Sequence, residues 1–281
     1  MPTPVFSKAV AKMEEDGSAF YGPESFKSYL QRHELKANTP DFVSVDSIDR
    51  LCPSLRKNNT MVFRLGKHEG RGTSFGLAKA PTGNLTDYFL NDEQCLSGTN
   101  AQLFLPAVSM RDLFPFQLLP KLTETSLVNL AVGSGLLHRA LGLENSGRGV
   151  VPATGQSTFT FQFRPRPDLS DPWVHQKGQV EVDAIFTASR DGKEALFLVE
   201  AKKGDPSGDL AKHKLVYPAA ALRASIPDYM PIVPVYLKSW ADSGDRHFLV
   251  AECDLATAPV PVVSDLSTRS ASHWVLRGYG R

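Results

Sequence analysis

Cysteine is scarce in this sequence: Cys52, Cys95 and Cys253 lie far apart, and no CxxC pair occurs. This spacing argues against a disulfide framework and against a zinc site of the common kind, and it favours a reducing compartment. Long apolar runs are also lacking, since no stretch of about 18 apolar residues occurs. The N-terminal MPTPVFSKAVAKMEEDG has no apolar signal core. We therefore expect a cytoplasmic protein without a membrane-spanning segment.

Neither sign of charge is in excess. The 281 residues include 31 lysines and arginines against 30 aspartates and glutamates, a net charge of +1, and 42% of the residues are apolar. These proportions are ordinary for a globular protein with a sizeable core. Net charge therefore excludes neither a nucleic acid nor a small molecule as partner, and only local clusters can decide. The HExxH, HxH and P-loop patterns are absent.

The spacing of apolar residues predicts two parts, an N-terminal helix-and-strand region over 1–117 and a second part over 118–281. The first part is predicted to contain helices over 24–33 and 45–57 and strands over 60–67 and 73–80. The second is predicted to contain, in order, helix 123–142, strands 157–164, 179–189 and 194–203, helix 209–224, and strands 230–237 and 246–253. We therefore expect an α/β fold of the α+β kind, a mixed sheet flanked by helices.

The dipeptide Asp191-Gly192 lies between two strand patterns and predicts a two-residue hairpin turn, because both central residues of that turn need positive φ. Counting outward from the turn places Asp183 opposite Glu200 and Glu181 opposite Lys202. Side chains alternate along a strand, so these four polar residues share one face of the hairpin. They lie at the end of the hairpin away from the turn.

Two carboxylates directly opposite each other repel, which destabilises a sheet. A divalent cation between Asp183 and Glu200 would remove that penalty, and Mg²⁺ favours carboxylate oxygens with several waters retained. The ammonium of Lys202 points at the same space, where it could orient a water or offset phosphate charge. Such a set is suited to hydrolysing phosphodiesters. The alternative is a solvated strand end, in which Glu181 and Lys202 form a surface ion pair worth about 0–1 kcal/mol.

The stretches VEVDAIF and FLVEAKKG carry an acidic residue on one strand and (D/E)xK on the next. In this the sequence resembles the PD-(D/E)xK nuclease superfamily, whose fold is restriction-endonuclease-like. The resemblance covers roughly residues 120–255, and Tyr217-Pro218 in the later helix is similar in particular to type II restriction endonuclease domains. It implies a restriction-endonuclease-like core in the second part of the chain.

The resemblance also implies a role for each matching residue. Asp183 and Glu200 would coordinate Mg²⁺, with Mn²⁺ able to substitute, and the carbonyl of Ala201 would be a further ligand. Lys202 would position or activate the attacking water. Many members add a glutamate from the helix before the sheet, and Glu124 is the best-placed candidate here. Alternatively, Glu124 is an acidic residue in a first helical turn, favourable there through the helix dipole.

In the later helix, family members often carry a glutamine, whereas this chain has His213 and Lys214 near that position. We expect that Lys214 can meet phosphate. A literal Pro-Asp pair, Pro167-Asp168, also occurs, but three prolines and Gly178 predict that residues 165–178 form a loop. Asp168 has no defined register with the later strand there, so Asp183 is preferred.

A basic stretch precedes this part of the chain. Residues 56–71 hold one acid, Glu69, and seven candidate DNA-contacting residues: Arg56, Lys57, Asn58, Asn59, Arg64, Lys67 and Arg71. Lysine and arginine neutralise phosphates, and asparagine can read base edges. The alternative is a solvated basic face. Further basic residues are Arg164, Arg166, Arg269, Arg277 and Arg281.

Together these features predict a Mg²⁺-dependent endonuclease that hydrolyses DNA phosphodiester bonds, most specifically a type II restriction endonuclease acting on double-stranded DNA. A homodimer is expected, because two-fold symmetry supplies one site for each strand of a palindrome. Two alternatives stay open. One is a repair or RNA-processing nuclease of the same fold, and the other is a non-catalytic DNA-binding protein that kept the fold.

Overall fold

The computed structural model describes residues 5–67, 72–144, 149–256 and 258–280. Its helices within these ranges are α1 (Ser7–Glu15), α2 (Phe26–Arg32), α3 (Thr39–Val43), α4 (Pro53–Lys57), α5 (Asp92–Leu96), α6 (Met110–Leu118), α7 (Glu124–Gly133), α8 (Leu136–Ala140) and α9 (His213–Arg223). None of the helices among the described residues is both long enough and apolar enough to cross a membrane.

The strands are β1 (Phe20–Ser25), β2 (Thr60–Lys67), β3 (Thr73–Lys79), β4 (Phe89–Asn91), β5 (Ala101–Leu103), β6 (Ala153–Phe163), β7 (Trp173–Arg190), β8 (Lys193–Lys203), β9 (Asp209–Ala211), β10 (Ile232–Asp242), β11 (Asp245–Asp254) and β12 (Ser267–Leu276). A 10-stranded sheet has the order β1-β3-β2-β7-β8-β10-β11-β12-β5, with β6 paired to β7. Strands β6, β7 and β8 are antiparallel, whereas β10 joins β8 in parallel after the crossing by α9. The predicted mixed sheet with flanking helices is therefore confirmed.

The β7–β8 hairpin has the predicted register. Its pairs run from Arg190↔Lys193 to Ala184↔Val199, and the turn residues Asp191 and Gly192 have φ of 53° and 71°. Two positive φ values are what a tight turn between twisted strands requires. The ladder ends one residue before Asp183, so the predicted polar residues lie where the two strands stop pairing.

Two apolar clusters cover the two faces of the central strands. On one face, Leu198 of β8 and Tyr236 of β10 pack with α9 and with residues of β2 and β3. On the other, Phe197 and Val199 of β8 pack with α7 and α8. Burial of such large side chains is the main stabilising contribution to a core. Since β2 and β3 share the first cluster with β8, the N-terminal strands pack directly against the hairpin. The boundary between 1–117 and 118–281 stays a prediction.

Three predicted helices differ from the structure. The helix over 123–142 is two helices, because Gly135 adopts φ of 83° and starts α8. The helix over 209–224 begins only at His213, since Asp209–Ala211 pairs with β4 instead. The helix over 45–57 is reduced to a 3-10 turn and α4, which starts at Pro53. A residue before proline is pushed out of the helical conformation, so a helix cannot run through Cys52.

Candidate active site

The predicted site lies where β8 leaves its antiparallel partner. Glu200 is the central residue: it is 2% exposed and has Tyr236 of β10 as its direct neighbour in the parallel ladder. Two ammonium groups approach it, since Lys202 Nζ and Lys214 Nζ each lie 3.4 Å from Glu200 Oε1. Lys202 comes from the same strand, whereas Lys214 is in the first turn of α9. A buried carboxylate needs such partners, because an isolated buried charge is very costly.

Asp183 occupies the facing strand and is held by the backbone. Its Oδ2 accepts a hydrogen bond of 2.8 Å from the amide nitrogen of Ala201. This bond bridges the two strands just beyond the end of their ladder, and it points the Asp183 carboxylate at β8. Ala201 itself is buried and pairs with Leu237 of β10. The structure therefore brings Asp183, Glu200 and Lys202 together, as the hairpin register predicts.

The electrostatics of Glu200 follow from its surroundings. Its pKa is raised to about 7: burial is the main cause, and the charge of Asp183 adds to it, whereas Lys214 and Lys202 act in the opposite direction. Near neutral pH this carboxyl is therefore poised between its two protonation states. A cation placed beside it favours the ionised form.

Lys202 stays charged in this site. Burial alone would lower the pKa of its ammonium, but the nearby carboxylates, Glu200 first and Glu124 next, raise it above the usual value. A lysine with a raised pKa holds its proton at neutral pH. It can therefore donate hydrogen bonds and neutralise negative charge, whereas it is unsuited to act as a general base.

Glu124 also reaches the site, from the other side of the strand. Thr123 caps α7 by accepting a hydrogen bond from the Ser126 amide nitrogen, and Glu124 is the next residue. Its Oε1 lies 4.0 Å from Lys202 Nζ and accepts a 3.4 Å hydrogen bond from the Lys203 amide nitrogen. Glu124 is thus a first-turn acid of α7 that also lies beside Lys202, and its role as a metal ligand stays a prediction.

The donor set can be compared with the needs of a divalent cation. Within the described residues, no group of three or more His, Cys, Asp or Glu side chains is arranged to hold a metal ion. Mg²⁺ does not require such a cage, since it commonly takes one or two carboxylates and completes its shell with waters and substrate phosphate oxygens. Asp183 and Glu200 fit that mode. The two lysines at Glu200 Oε1 balance its negative charge, so the cation would share this carboxylate with them.

A family model, DUF6997, matches residues 108–252 and is described as a domain of unknown function. The chain belongs to this family. No curated protein and no solved structure matches it.

The DUF6997 segment contains Glu124, Asp183, Glu200, Lys202 and Lys214. It starts just before α6 and ends in β11. The candidate site is therefore built largely from the part of the chain that the family model covers.

Of the predicted DNA-contacting residues, one lies at this site and a second lies in the adjoining cleft. Lys214 contacts Glu200, and Arg64 of β2 lines the same cleft as Lys214.

The other candidates lie away from the site. Arg56 is 3.7 Å from Asp49, and Asn58 donates a 2.8 Å hydrogen bond to the Ser54 carbonyl as α4 ends. The side chain of Asn58 thus has a structural contact. Three further candidates outside the DUF6997 segment are exposed at the surface: Lys57, Asn59 and Lys67. Arg71 lies outside the described residues.

The other basic residues have local partners. Arg166 pairs with Asp168 through two hydrogen bonds of 2.5 and 2.8 Å, within the loop that follows β6. This loop is shorter than the predicted 165–178, because β7 already begins at Trp173 and runs through Gly178. Asp168 is therefore committed to a surface ion pair, which agrees with preferring Asp183. Arg164 donates to the Leu169 carbonyl, and Arg269 lies 3.4 Å from Glu252. Arg277 is exposed, and Arg281 lies outside the described residues.

Sequence patterns did not reveal three polar residues near the site. Tyr236 and Lys238 of β10 are the parallel neighbours of Glu200 and Lys202. Asp92, fully buried in α5, accepts a 2.8 Å hydrogen bond from the Tyr236 hydroxyl and forms a 2.8 Å ion pair with Lys238. The alternation of Tyr236 and Lys238 is visible in VPVYLKSW, but only the parallel pairing places them beside β8.

Asp46 is a fourth such residue. Its carbonyl accepts a 2.9 Å hydrogen bond from the Ala211 amide nitrogen, and its charge raises the pKa of Lys202 after Glu200 and Glu124. It precedes the DUF6997 segment by a long stretch of sequence and has no motif around it. No pattern could have linked it to the hairpin.

The stretch GTSFG has the GxSxG spacing of serine hydrolases, yet it has no such role here. Ser74 lies inside β3, is 5% exposed, and its hydroxyl donates to the Glu24 carbonyl. A nucleophilic serine in that motif needs an exposed hydroxyl on a sharp strand-to-helix turn.

Proposed function

We propose that this protein is a magnesium-dependent endonuclease that hydrolyses DNA phosphodiester bonds. The observation that carries the proposal is the buried Glu200, which shares one end of the hairpin with Asp183 and has two ammonium groups 3.4 Å from one oxygen. Acids that can hold a cation, next to fixed positive charges, are the groups that phosphodiester hydrolysis requires.

The two acids have separate tasks in this proposal. Asp183 is oriented by the Ala201 amide, and Glu200 by the lysines and by burial. Both would hold Mg²⁺, and the Ala201 carbonyl is the third donor that the resemblance implies. Bound there, the cation would polarise a phosphate oxygen and ease deprotonation of a water.

The lysines carry the remaining charge stabilisation. Lys202 keeps its proton, so it positions the attacking water and donates to the phosphate rather than removing a proton itself. Lys214 lies on the first turn of α9 and presents a second ammonium to Glu200 Oε1. Negative charge that develops on the phosphate is stabilised by such pre-positioned donors.

The order of elements supports the restriction-endonuclease-like part of the proposal. Helices α7 and α8 precede three antiparallel strands, α9 follows, and β10 then joins β8 in parallel. This is the succession of helix, three strands, helix and strand that the resemblance implies. A type II restriction endonuclease acting as a homodimer on a duplex site is the specific form that we propose.

The test is a cleavage assay on supercoiled plasmid with Mg²⁺, Mn²⁺ or EDTA. We expect wild-type protein to cut with either metal and not with EDTA. Lys202→Ala should lose about 10²-fold or more in rate. Lys203→Ala is the matched control, since the exposed Lys203 side chain lies on the other face of β8 and its backbone contact to Glu124 is retained.

Mapping the cut ends then separates the alternatives. Defined ends on duplex DNA support a restriction endonuclease, whereas cutting only at flaps, junctions or structured RNA supports a repair or RNA-processing nuclease. If folded wild-type protein cuts nothing on a broad panel with either metal, the enzyme proposal is wrong. Binding of DNA that is equal in wild type and Lys202→Ala would then indicate a non-catalytic DNA-binding protein.

A further inference from the structure

A cleft of about 240 Å³ adjoins the candidate site and opens to solvent. Its walls come from residues 43–46, from Arg64 of β2, from His175 and residues 179–181 of β7 and from the first turns of α9. It meets the site at Lys214, which lines the cleft and lies 3.4 Å from Glu200. The phosphodiester chemistry proposed above requires neither the depth nor the polar lining of this cleft.

The cleft holds an unusual concentration of unpaired polar atoms. Few buried side-chain polar atoms among the described residues lack a hydrogen-bond partner, and four of them belong to residues that line this cleft. One of the four, His175 Nε2, packs against the backbone at Gly178. The other three are Asp46 Oδ1, Arg64 Nε and His213 Nδ1.

These three atoms are buried and have no hydrogen-bond partner within the protein. Arg50 Nε is 3.8 Å from Asp46 Oδ1, too far for a hydrogen bond, and Arg64 reaches Ser44 only through its Nη1. Buried polar groups in folded proteins are nearly always paired, because leaving one unpaired forfeits the hydrogen bonds that it made with water. Three in one cleft therefore indicate that a polar ligand completes them.

The charge of the cleft selects the kind of ligand. Two acidic side chains, Asp46 and Glu181, face two basic ones, Arg64 and Lys214. Burial lowers the pKa of His213 to about 3, so its imidazole is neutral. A balanced lining of this kind does not favour an anion such as phosphate. It suits a neutral group that offers both donors and acceptors.

The apolar part of the lining indicates a flat ligand. Val45, Val180 and the ring of Tyr217 contribute to the walls. Tyr217 is held in place because its hydroxyl donates a 3.2 Å hydrogen bond to the Arg64 carbonyl. Aromatic and branched apolar side chains are the usual contacts for the faces of a base that has left its stack.

We infer that this cleft holds one nucleobase of the substrate, taken out of the base stack next to the phosphate that is cut. The inference rests on the proposed nuclease function, and it assigns to that site a base-binding pocket. A nucleobase is neutral and planar, and it carries donors and acceptors along one edge. Asp46 Oδ1 accepts from an exocyclic amino group, and Arg64 Nε donates to a ring nitrogen or carbonyl. Thymine has no exocyclic amino group and is the weakest ligand.

The test uses the full chain and free nucleosides, so that binding is measured apart from cleavage. NMR signals of the Arg64 Nε–H and of the His213 imidazole are followed during titration with deoxycytidine, deoxyadenosine, deoxyguanosine, thymidine or inorganic phosphate. We expect saturable shifts with the first three, weaker ones with thymidine and none with phosphate. No saturable shift with any nucleoside, or equal shifts with phosphate alone, overturns the inference.

A matched pair of variants identifies the acceptor. Asp46→Asn should weaken deoxycytidine binding about tenfold, because the acceptor loses its charge and a hydrogen bond to a charged group is stronger than one to a neutral group. Asp49→Asn makes the same change three residues along the chain, at a side chain that is 98% exposed, and should bind like wild type. Equal affinity in the two variants overturns the inference. If Asp46→Asn lowers the melting temperature, Arg64→Lys replaces it, since lysine keeps the charge and removes the Nε donor.

The plasmid assay keeps this inference separate from the proposed function. DNA cleavage together with no nucleoside binding means that the base-binding cleft is wrong while the nuclease stands. Nucleoside binding that Asp46→Asn weakens, together with no cleavage of any nucleic acid, means that the nuclease is wrong while the cleft stands.

Discussion

Lys214 Nζ on α9 and Glu200 Oε1 on β8 lie 3.4 Å apart, at the point where the helix that crosses the sheet begins. This contact places a second ammonium beside a carboxylate that is 2% exposed. It ties the first turn of α9 to the hairpin that carries the proposed catalytic residues. The same lysine lines the neighbouring cleft, so one side chain joins the two sites.

Removal of Lys214 should change the titration of Glu200. Burial raises the Glu200 pKa to about 7 against the opposing charge of Lys214. Lys214→Met removes that charge, so the Glu200 pKa rises and a larger fraction is protonated at pH 7. Lys214→Arg should keep the wild-type value. A ¹³C NMR titration of the Glu200 carboxyl in metal-free protein measures this, with the exposed Lys203→Met as control. An unchanged pKa in Lys214→Met would contradict the pairing.

Glu124 should matter more for activity than for stability. Glu124→Gln removes a carboxylate 4.0 Å from Lys202, so we expect the cleavage rate to fall about tenfold or more. The stability cost should stay below about 1 kcal/mol, the usual value of a first-turn charge. The matched control is Asp112→Asn, an exposed acid in the first turn of α6. It should cost similar stability and leave cleavage unchanged. Identical cleavage rates for the two variants would show that Glu124 serves only its helix.

The buried pair beneath the site should dominate local stability. Asp92 is 0% exposed and lies 2.8 Å from Lys238. Lys238→Met leaves the charge of Asp92 buried and without its ion-pair partner, which should lower the free energy of unfolding by about 3–5 kcal/mol. Adding Asp92→Asn to that variant should restore part of the loss, as measured by urea unfolding. A surface change, Lys193→Met, should stay within about 0.5 kcal/mol. No recovery in the double variant would contradict this account.

Asp209 should give a pH-dependent stability. Burial raises its pKa from 3.8 to about 6, although the Ile48 amide nitrogen donates to it. The folded protein therefore keeps this proton at pH values where the unfolded chain has released it. The free energy of unfolding thus falls as the pH rises from about 4 to about 6, and the full loss remains above that range.

Asp209→Asn tests this sign directly. Asparagine keeps the acceptor for Ile48 and removes the charge, so the variant should be more stable than wild type at pH 8. We expect about 1 kcal/mol after allowing for solvent screening of a partly exposed group. The two proteins should be alike near pH 4. Asp205→Asn is the control, since hydrogen bonds to Ser207 lower the pKa of that exposed acid and its effect should not have the same sign. Equal stability of wild type and Asp209→Asn at both pH values would contradict the prediction.

The β7–β8 hairpin is the part of the fold that local sequence patterns predict best. Asp191-Gly192 sets the pairing of β7 with β8, because a two-residue turn leaves no freedom of register. The shared face of Asp183, Glu200 and Lys202 follows from that register and from strand alternation. Helix ends were harder to predict from the sequence. Gly135 interrupts the helix predicted over 123–142, although the helical spacing of apolar residues continues past Gly135.

Contacts between segments that are distant in the sequence could not be predicted from local patterns. Lys238 lies beside Lys202 only because β10 joins β8 in parallel after α9 crosses the sheet. Lys214 reaches Glu200 only because α9 starts after β9 has paired with β4. Each of these pairings depends on the whole layout of the sheet, and no short motif encodes it.

By itself, the sequence determined the mixed α/β class, the turn at Asp191-Gly192 and the common face of Asp183 and Glu200, because turn chemistry and strand alternation act over a few residues. The tertiary structure alone decided that Glu200 is buried between two lysines, that Asp46 and Arg64 border the same cleft, and that Asp92 is buried beneath Tyr236. Those features depend on burial and on parallel pairing, which the packing of the whole chain sets and no local stretch specifies.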